Sequence, residues 1–203
     1  AYPEQKSLYK DVRDQVRDNI DKVKVHPDPL SEMLRLRQVT GYPGILSSTV
    51  TKSAKMDRME ELVEEEVSVG GKAIIFSNWS EMTNVIRHKL KKYNPAYITG
   101  EVGSVQRMEE KDRFQNDPDC KVMIGTIGAL GTGFTLTAAQ LVIFVDEPWN
   151  RGIKDQAEDR AHRIGTRGTV RIVTILTRDT VDEGVYNLVQ KKGKMADLLV
   201  DGK

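Results

Sequence analysis

The residues best suited to chemistry form the stretch Gln156-Ala-Glu-Asp-Arg160-Ala-His-Arg163-Ile-Gly165. On a helix turning about 100° per residue, with Gln156 at zero, Arg160 falls at about 40° and Arg163 at about −20°. The three side chains share one narrow face. Ala157, Ala161 and Ile164 form a neighbouring apolar face suited to close packing on a sheet. Guanidinium groups are planar, permanently charged forks that match phosphate oxygens. Two of them held together stabilise the charge that spreads over a phosphoryl group during transfer. The competing, purely structural reading pairs Arg160 and Arg163 with Asp155, Glu158 or Asp159 on the same helix.

Upstream lies Gly128-Ala-Leu-Gly131-Thr-Gly133-Phe-Thr135-Leu-Thr137. Small residues, bare amides and hydroxyls let such a loop follow a phosphate backbone without reading bases. A tight strand-to-helix connection would use the same residue types. Asp146-Glu147, after a buried apolar run, imitates a Mg²⁺-binding acidic pair. Such a pair needs a phosphate-binding loop upstream, and Gly-x-x-x-x-Gly-Lys-Ser/Thr does not occur in the chain. Gly71-Lys72 lacks both the first glycine and the following hydroxyl. Asp146 is therefore expected to order the connection into the arginine helix. Three histidines and the single Cys120 provide no metal-ligand spacing, so no metal site is expected.

The elements that must position these groups can be read from patterning. Leu8, Val12, Val16 and Ile20 recur every four residues and predict a helix over 7–24 with one apolar stripe, broken by Pro27 and Pro29. Further helices are predicted over 30–39 and 53–67, the latter capped by Ser53 and stopped by Gly70-Gly71. After residue 71 the texture changes. Apolar runs at 73–76, 97–98, 121–124, 141–145 and 170–176 read as strands. Helices are predicted between the first three, and a final one from about Thr180 through Lys192. Alternation of this kind implies a parallel sheet covered on both faces, with ligands beyond the carboxyl ends of the strands. Ser77, Asn78, Thr126 and residues 146–150 all follow strand ends, and Ser77 and Asn78 are placed to bond phosphates or to cap the helix that follows them. The expected division is a helical extension over 1–70 and an α/β domain over 71–203.

Composition sets bounds. The chain has 203 residues, 38% apolar and 30% charged, as ordinary globular proteins do. Its net charge of +1 gives no bulk attraction to a polyanion, so any nucleic-acid contact must come from local placement. No apolar run reaches the ~20 residues needed to span a bilayer. The opening residues lack the apolar segment of a secretory signal, and an intracellular location, cytoplasmic or nuclear (host cytoplasm for a viral protein), is expected.

The motifs, taken together, resemble those of the Swi/Snf-type ATPases, a branch of the superfamily-two helicases. Gln-Ala-x-Asp-Arg-x-His-Arg-Ile-Gly looks like their motif VI. Asp146-Glu-Pro-Trp149-Asn150 resembles their Asp-x-x-Trp-Asn segment, 131–139 their motif V, and Lys72-Ala-Ile-Ile-Phe-Ser77-Asn-Trp their motif IV. Thr99-Gly100 with Gln106-Arg107 and Phe114, Thr180-Val-Asp-Glu183, and Leu36-Arg37-Gln38 with Tyr42-Pro43 also resemble family stretches, in family order, over about 30–195. Arg151, Thr166 and Thr135 depart from the usual Pro, Gln and Asn. An RNA-helicase register through His162-Arg163-Ile-Gly165 would put Thr166 and Thr169 at the finger positions and lose both cations.

The resemblance implies a RecA-like parallel sheet with helices on both faces, the P-loop NTPase-like C-terminal helicase lobe, plus an N-terminal helical extension. It implies the second motor lobe of a DNA-dependent ATPase or translocase. Arg160 and Arg163 would be arginine fingers, with Gln156 beside them. Gly131, Gly133, Thr135 and Asp159 would lie toward the nucleotide. Ser77, Asn78, Thr126, Gly128, Trp149 and Asn150 would contact nucleic acid. ATP would be shared with a first RecA-like lobe, which would also bind Mg²⁺. The partners would be that lobe and duplex DNA backbone, with no membrane. The lobe alone would be inactive in ATP hydrolysis. The C-terminal lobe of an RNA helicase, or a non-catalytic interaction module of the same fold, is the alternative.

Overall fold

The computed structural model describes residues 1–22, 29–130, 137–149, 152, 155 and 170–201, with residues 16–22, 29–32 and 193–201 in backbone only. Five short parallel strands form one sheet: β1 (Ala73–Ser77), β2 (Ala96–Ile98), β3 (Val122–Thr126), β4 (Leu141–Phe144) and β5 (Arg171–Thr174), in the spatial order β2-β3-β1-β4-β5. β1 is the hub. It pairs with β3 from Ala73↔Val122 to Ser77↔Thr126 and with β4 from Ala73↔Leu141 to Phe76↔Phe144. Because every pair is parallel, all five carboxyl ends reach the same rim of the sheet.

The unbroken apolar runs are explained by burial on both faces. Ile74, Phe76, Ile98, Met123, Val142 and Phe144 point to one face and pack with Phe114, Ile127 and Leu130. Phe76 stacks on Phe144 with ring centroids 5.1 Å apart. The alternate residues Ala73, Ile75, Val122, Ile124, Leu141 and Ile143 point the other way. There they meet Met56, Met59, Leu62 and Val63 of α3 (Ala54–Ser68) and Met82 and Ile86 of α4 (Ser80–Lys89). The first face is covered by α5 (Ser104–Asn116) and the single turn α6 (Ile127–Leu130). The predicted α/β architecture with helices on both faces is therefore the observed one.

Of the helices expected as an extension over 1–70, α1 (Pro3–Lys22) packs on α2 (Pro29–Gly41), and α2 packs on the long C-terminal helix α7 (Val181–Asp201). By contrast, α3 buries its apolar face in the core of the sheet domain. Its ends follow the local rules. Ser53 Oγ accepts from the Met56 amide at 3.3 Å. Gly70, at φ +86°, stops the helix in a conformation that side chains oppose. α7 runs on past Lys192, because a lone Gly193 costs a helix only about 1 kcal/mol and strong helix formers follow it. Gly125 answers a different need: a Cβ there would sit 2.2 Å from the Ile98 carbonyl oxygen, so only glycine lets β3 lie against β2 at that point. No helix among the described residues is long and apolar enough to cross a membrane.

Candidate functional site

The site is built where β1, β3 and β4 end. Ser77 closes β1 beside Thr126, which closes β3, and Asp146 follows β4. Asp146 is buried, and its carboxylate organises the rim. Ser77 Oγ donates to Oδ2 at 2.6 Å, and the Asn78 amide donates to Oδ1 at 2.9 Å. Asn78 Nδ2 also donates to Oδ1, and reaches the Glu147 carbonyl at 3.1 Å. Ser77 Oγ in turn accepts from the Trp79 amide at 3.2 Å. Ser77 and Asn78 were expected to bond phosphates or to cap the following helix. The cap position belongs instead to Trp79, whose side chain makes no cap bond, because the carboxylate from β4 has drawn both preceding side chains toward it. The Ser77 hydroxyl is wholly buried; Asn78 is half-buried.

Opposite Asp146 stands Arg37, carried by α2. Its side chain is buried, with Nη2 3.8 Å from Asp146 Oδ1 and donating to the Glu147 carbonyl at 2.6 Å. Its guanidinium carbon lies 4.4 Å from the ring centroid of Trp149 and 5.7 Å from that of Trp79. Stacking between indoles is a role that planar arginine fills and lysine does not. Nε and Nη1 have no hydrogen-bond partner among the described residues. Burial pushes the guanidinium below the usual arginine value, against the pull of Asp146, Asp182 and Glu147. Trp149 is 37% exposed, so one part of its ring holds Arg37 and another meets solvent at the rim.

A second buried pair braces the same region. Lys55 Nζ lies 2.6 Å from Asp182 Oδ2 and donates to the Val145 carbonyl at 3.1 Å. Asp182 also accepts from Thr40 Oγ1 and from the Thr177 amide, each at 3.1 Å. Buried charges survive only when paired and hydrogen-bonded in this way. Gln115 secures the far end of the glycine-threonine stretch, donating to Thr137 Oγ1 at 3.2 Å and accepting from the Ala138 amide at 3.0 Å.

Of the expected site residues, the structure brings Ser77, Asn78, Thr126, Gly128 and Trp149 to one rim. Thr126 is half-buried and Gly128 is exposed, with open space where a Cβ would be. Gly131, Gly133, Thr135, Asn150, Gln156, Asp159, Arg160 and Arg163 lie outside the described residues. Sequence reasoning gave no role to Arg37, Lys55 or Gln115, which brace the rim and its approaches. Arg37 carried a signal in Leu36-Arg37-Gln38. Lys55 and Gln115 carried none, because their partners lie far along the chain.

The donor set of the rim suits a phosphate. Thr126 presents a hydroxyl, the Gly128 main chain is open, Asn78 stands beside them with its amide already donated to Asp146 and the Glu147 carbonyl, and both acidic side chains, Asp146 and Glu147, are buried. A phosphate oxygen accepts hydrogen bonds and is repelled by exposed carboxylates.

Residues 54–165 match the family model described as helicase conserved C-terminal domain. An uncharacterized ATP-dependent helicase of Mycoplasma pneumoniae is 28% identical over 197 residues, covering 95% of this chain and 19% of the relative. The chromatin-remodeling ATPase INO80 of Saccharomyces cerevisiae is 29% identical over 188 residues, covering 92% of this chain and 12% of the relative. The chain thus spans less than a fifth of the length of these curated relatives. Among solved structures, the Sulfolobus solfataricus SWI2/SNF2 ATPase C-terminal domain superposes with a TM-score of 0.77 at 28% identity, over 97% of this chain and 84% of that one. The Sulfolobus solfataricus SWI2/SNF2 ATPase core in complex with dsDNA gives a TM-score of 0.79 at 30% identity, over 98% and 44%.

Proposed function

Because this chain belongs to the helicase conserved C-terminal domain family, as a C-terminal lobe of the Swi/Snf type, we propose that it is the second motor lobe of a DNA-dependent ATPase. ATP held between this lobe and a first RecA-like lobe supplies a phosphoanhydride to be hydrolysed, with Mg²⁺ bound by the first lobe. Arg160 and Arg163, on one helix face with Gln156, reach across the cleft and stabilise charge on the transferring phosphoryl group. Gly131, Gly133, Thr135 and Asp159 line the nucleotide side of this lobe. Asn78, Thr126, Gly128, Trp149 and Asn150 hold one strand of duplex DNA by its backbone, as hydroxyl, amide and main-chain donors do without reading sequence. Ser77 enters through Asp146, whose carboxylate it helps to orient.

The observation that carries this reading is the braced rim. Asp146, held by Ser77, Asn78 and Arg37, marks the start of the segment that runs to Gln156, from the same strand ends that carry the DNA-facing groups. On this reading one frame serves both ligands, as coupling hydrolysis to movement along a duplex requires.

The test is DNA-stimulated ATP hydrolysis by the full-length protein. Arg160→Ala and Arg163→Ala should each lower turnover by ~10³-fold or more, as removal of an arginine finger does, with much smaller changes in ATP affinity. Turnover close to wild type in either variant would remove the finger assignment.

A further inference from the structure

A second cationic feature lies apart from the rim residues just described. α1 and the turn between β5 and α7 enclose an open cavity of about 230 Å³. Lys6, Lys10 and Arg13 of α1, spaced four and three apart and so on one helix face, line it from one side, and Arg178 lines it from the other. Asp179 is the single carboxylate among its lining residues. Arg13 is engaged with its neighbour Asp14 at 3.3 Å, an exposed pair of little energetic weight. Lys6, Lys10 and Arg178 make no ion pair among the described residues. Like charges gathered around one hollow repel each other unless an anion joins them. The hollow is firmly framed: Tyr9 Oη accepts the Val181 amide at 2.8 Å, and buried Gln5 Nε2 donates to the Val39 and Thr40 carbonyls at 2.9 and 3.2 Å.

We propose that this cavity binds the phosphate backbone of duplex DNA, as a contact contributed by the N-terminal helix and separate from the strand-end groups. The proposal rests on the motor-lobe reading and extends it. Three observations favour this occupant. Thr177 and Arg178 come after β5, so one wall of the cavity is built beyond the carboxyl end of that strand, the end of the sheet where the rim residues also lie. Three of the four cations are free to engage an incoming anion. Lysine ammonium groups are compact point charges without the fork or amide geometry that reads base edges, so the contact is independent of sequence. Tyr9, which already accepts the Val181 amide, keeps its own hydroxyl proton for a phosphate oxygen.

The experiment measures binding of the 203-residue chain to a fluorescein-labelled duplex by anisotropy across a salt series. Replacing Lys6→Gln, Lys10→Gln and Arg178→Gln together should weaken binding by about tenfold or more. It should also reduce the slope of log affinity against log salt by roughly 2 to 3, since each lost phosphate contact removes about 0.9. The charge-conserving set Lys6→Arg, Lys10→Arg and Arg178→Lys should bind as wild type does, which separates charge from any disturbance of α1. If the glutamine variant keeps wild-type affinity and slope while the wild-type chain binds duplex, the inference fails and the motor-lobe reading stands. If the wild-type chain binds no duplex at all, the inference fails, while the motor-lobe reading is decided separately by DNA-stimulated ATP hydrolysis in the full-length protein. A labelled polyglutamate peptide bound by wild type and lost by the glutamine variant, with duplex binding unchanged, would overturn the proposal in favour of an acidic peptide.

Discussion

Arg37 shows how one side chain can hold a site it does not belong to in sequence. It is buried beside Asp146, donates to the Glu147 carbonyl and lies against Trp79 and Trp149. Removing one member of a buried ion pair strands the other, so Arg37→Leu should cost about 3 kcal/mol of stability, more than an exposed arginine would. Arg37→Lys keeps the charge but loses the planar contact with the indoles, and should recover only part of that. Urea unfolding followed by tryptophan fluorescence measures both, and a loss below ~1 kcal/mol for the leucine variant would mean the pair contributes little. At this scale the sequence offered the types and order of the rim residues but not their partners. Ser77 and Asn78 read equally well as phosphate ligands or caps. The choice was made by Asp146, brought to them by the pairing of β1 with β4.

Elements were legible where local chemistry governs their ends. Ser53 was read as the cap of α3 and is the cap. The structure adds a second duty, because Ser53 Oγ also donates to the Gly41 carbonyl at 2.5 Å and so ties the end of α2 to the start of α3. Ser53→Ala should cost about 2 kcal/mol, roughly half from the lost cap and half from the unpaired carbonyl. A cap alone would cost ~1 kcal/mol, so chemical denaturation of the variant distinguishes one duty from two. Strand boundaries moved by a residue or two. The short β2 was the weakest in sequence because only Ala96–Ile98 pairs, along one edge of the sheet. The cap of α4 fell to Trp79 rather than to Ser77 or Asn78, because a carboxylate after another strand holds both of those side chains.

For the molecule as a whole, pH reports how its buried groups are balanced. Burial raises the Cys120 thiol above its ordinary 9.0, and the neutral thiol donates to the Val122 carbonyl, as a thiolate could not. Burial likewise raises the Tyr9 phenol above its ordinary 10.0. Both groups favour the fold while protonated, so their stabilisation is complete below the ordinary values and is lost as pH climbs through the raised ones. Lys72, whose ammonium caps α5 through the Phe114 and Asp117 carbonyls at 2.6 and 2.7 Å, is lowered by burial. Its contribution has the opposite sign and improves as pH rises through its lowered value. Cys120→Ala removes the thiol's share of the alkaline loss. Its melting temperature should fall less between neutral pH and pH above 9.0 than that of wild type. Parallel curves would show that the thiol does not contribute.

The sequence by itself determined the class of fold, because apolar runs without polar alternation must be buried on both faces and helices must cover them. It also determined the family, because Gln156, Arg160, Arg163 and the motifs before them stand in order at fixed spacings. Only the tertiary structure decided which groups brace the rim and which stay open to a ligand. Arg37 meets Asp146 across 108 intervening positions, Lys55 meets Asp182 across 126, and the cations of α1 face Arg178 across the whole domain. Such encounters depend on strand order and helix packing, which local spacing does not encode.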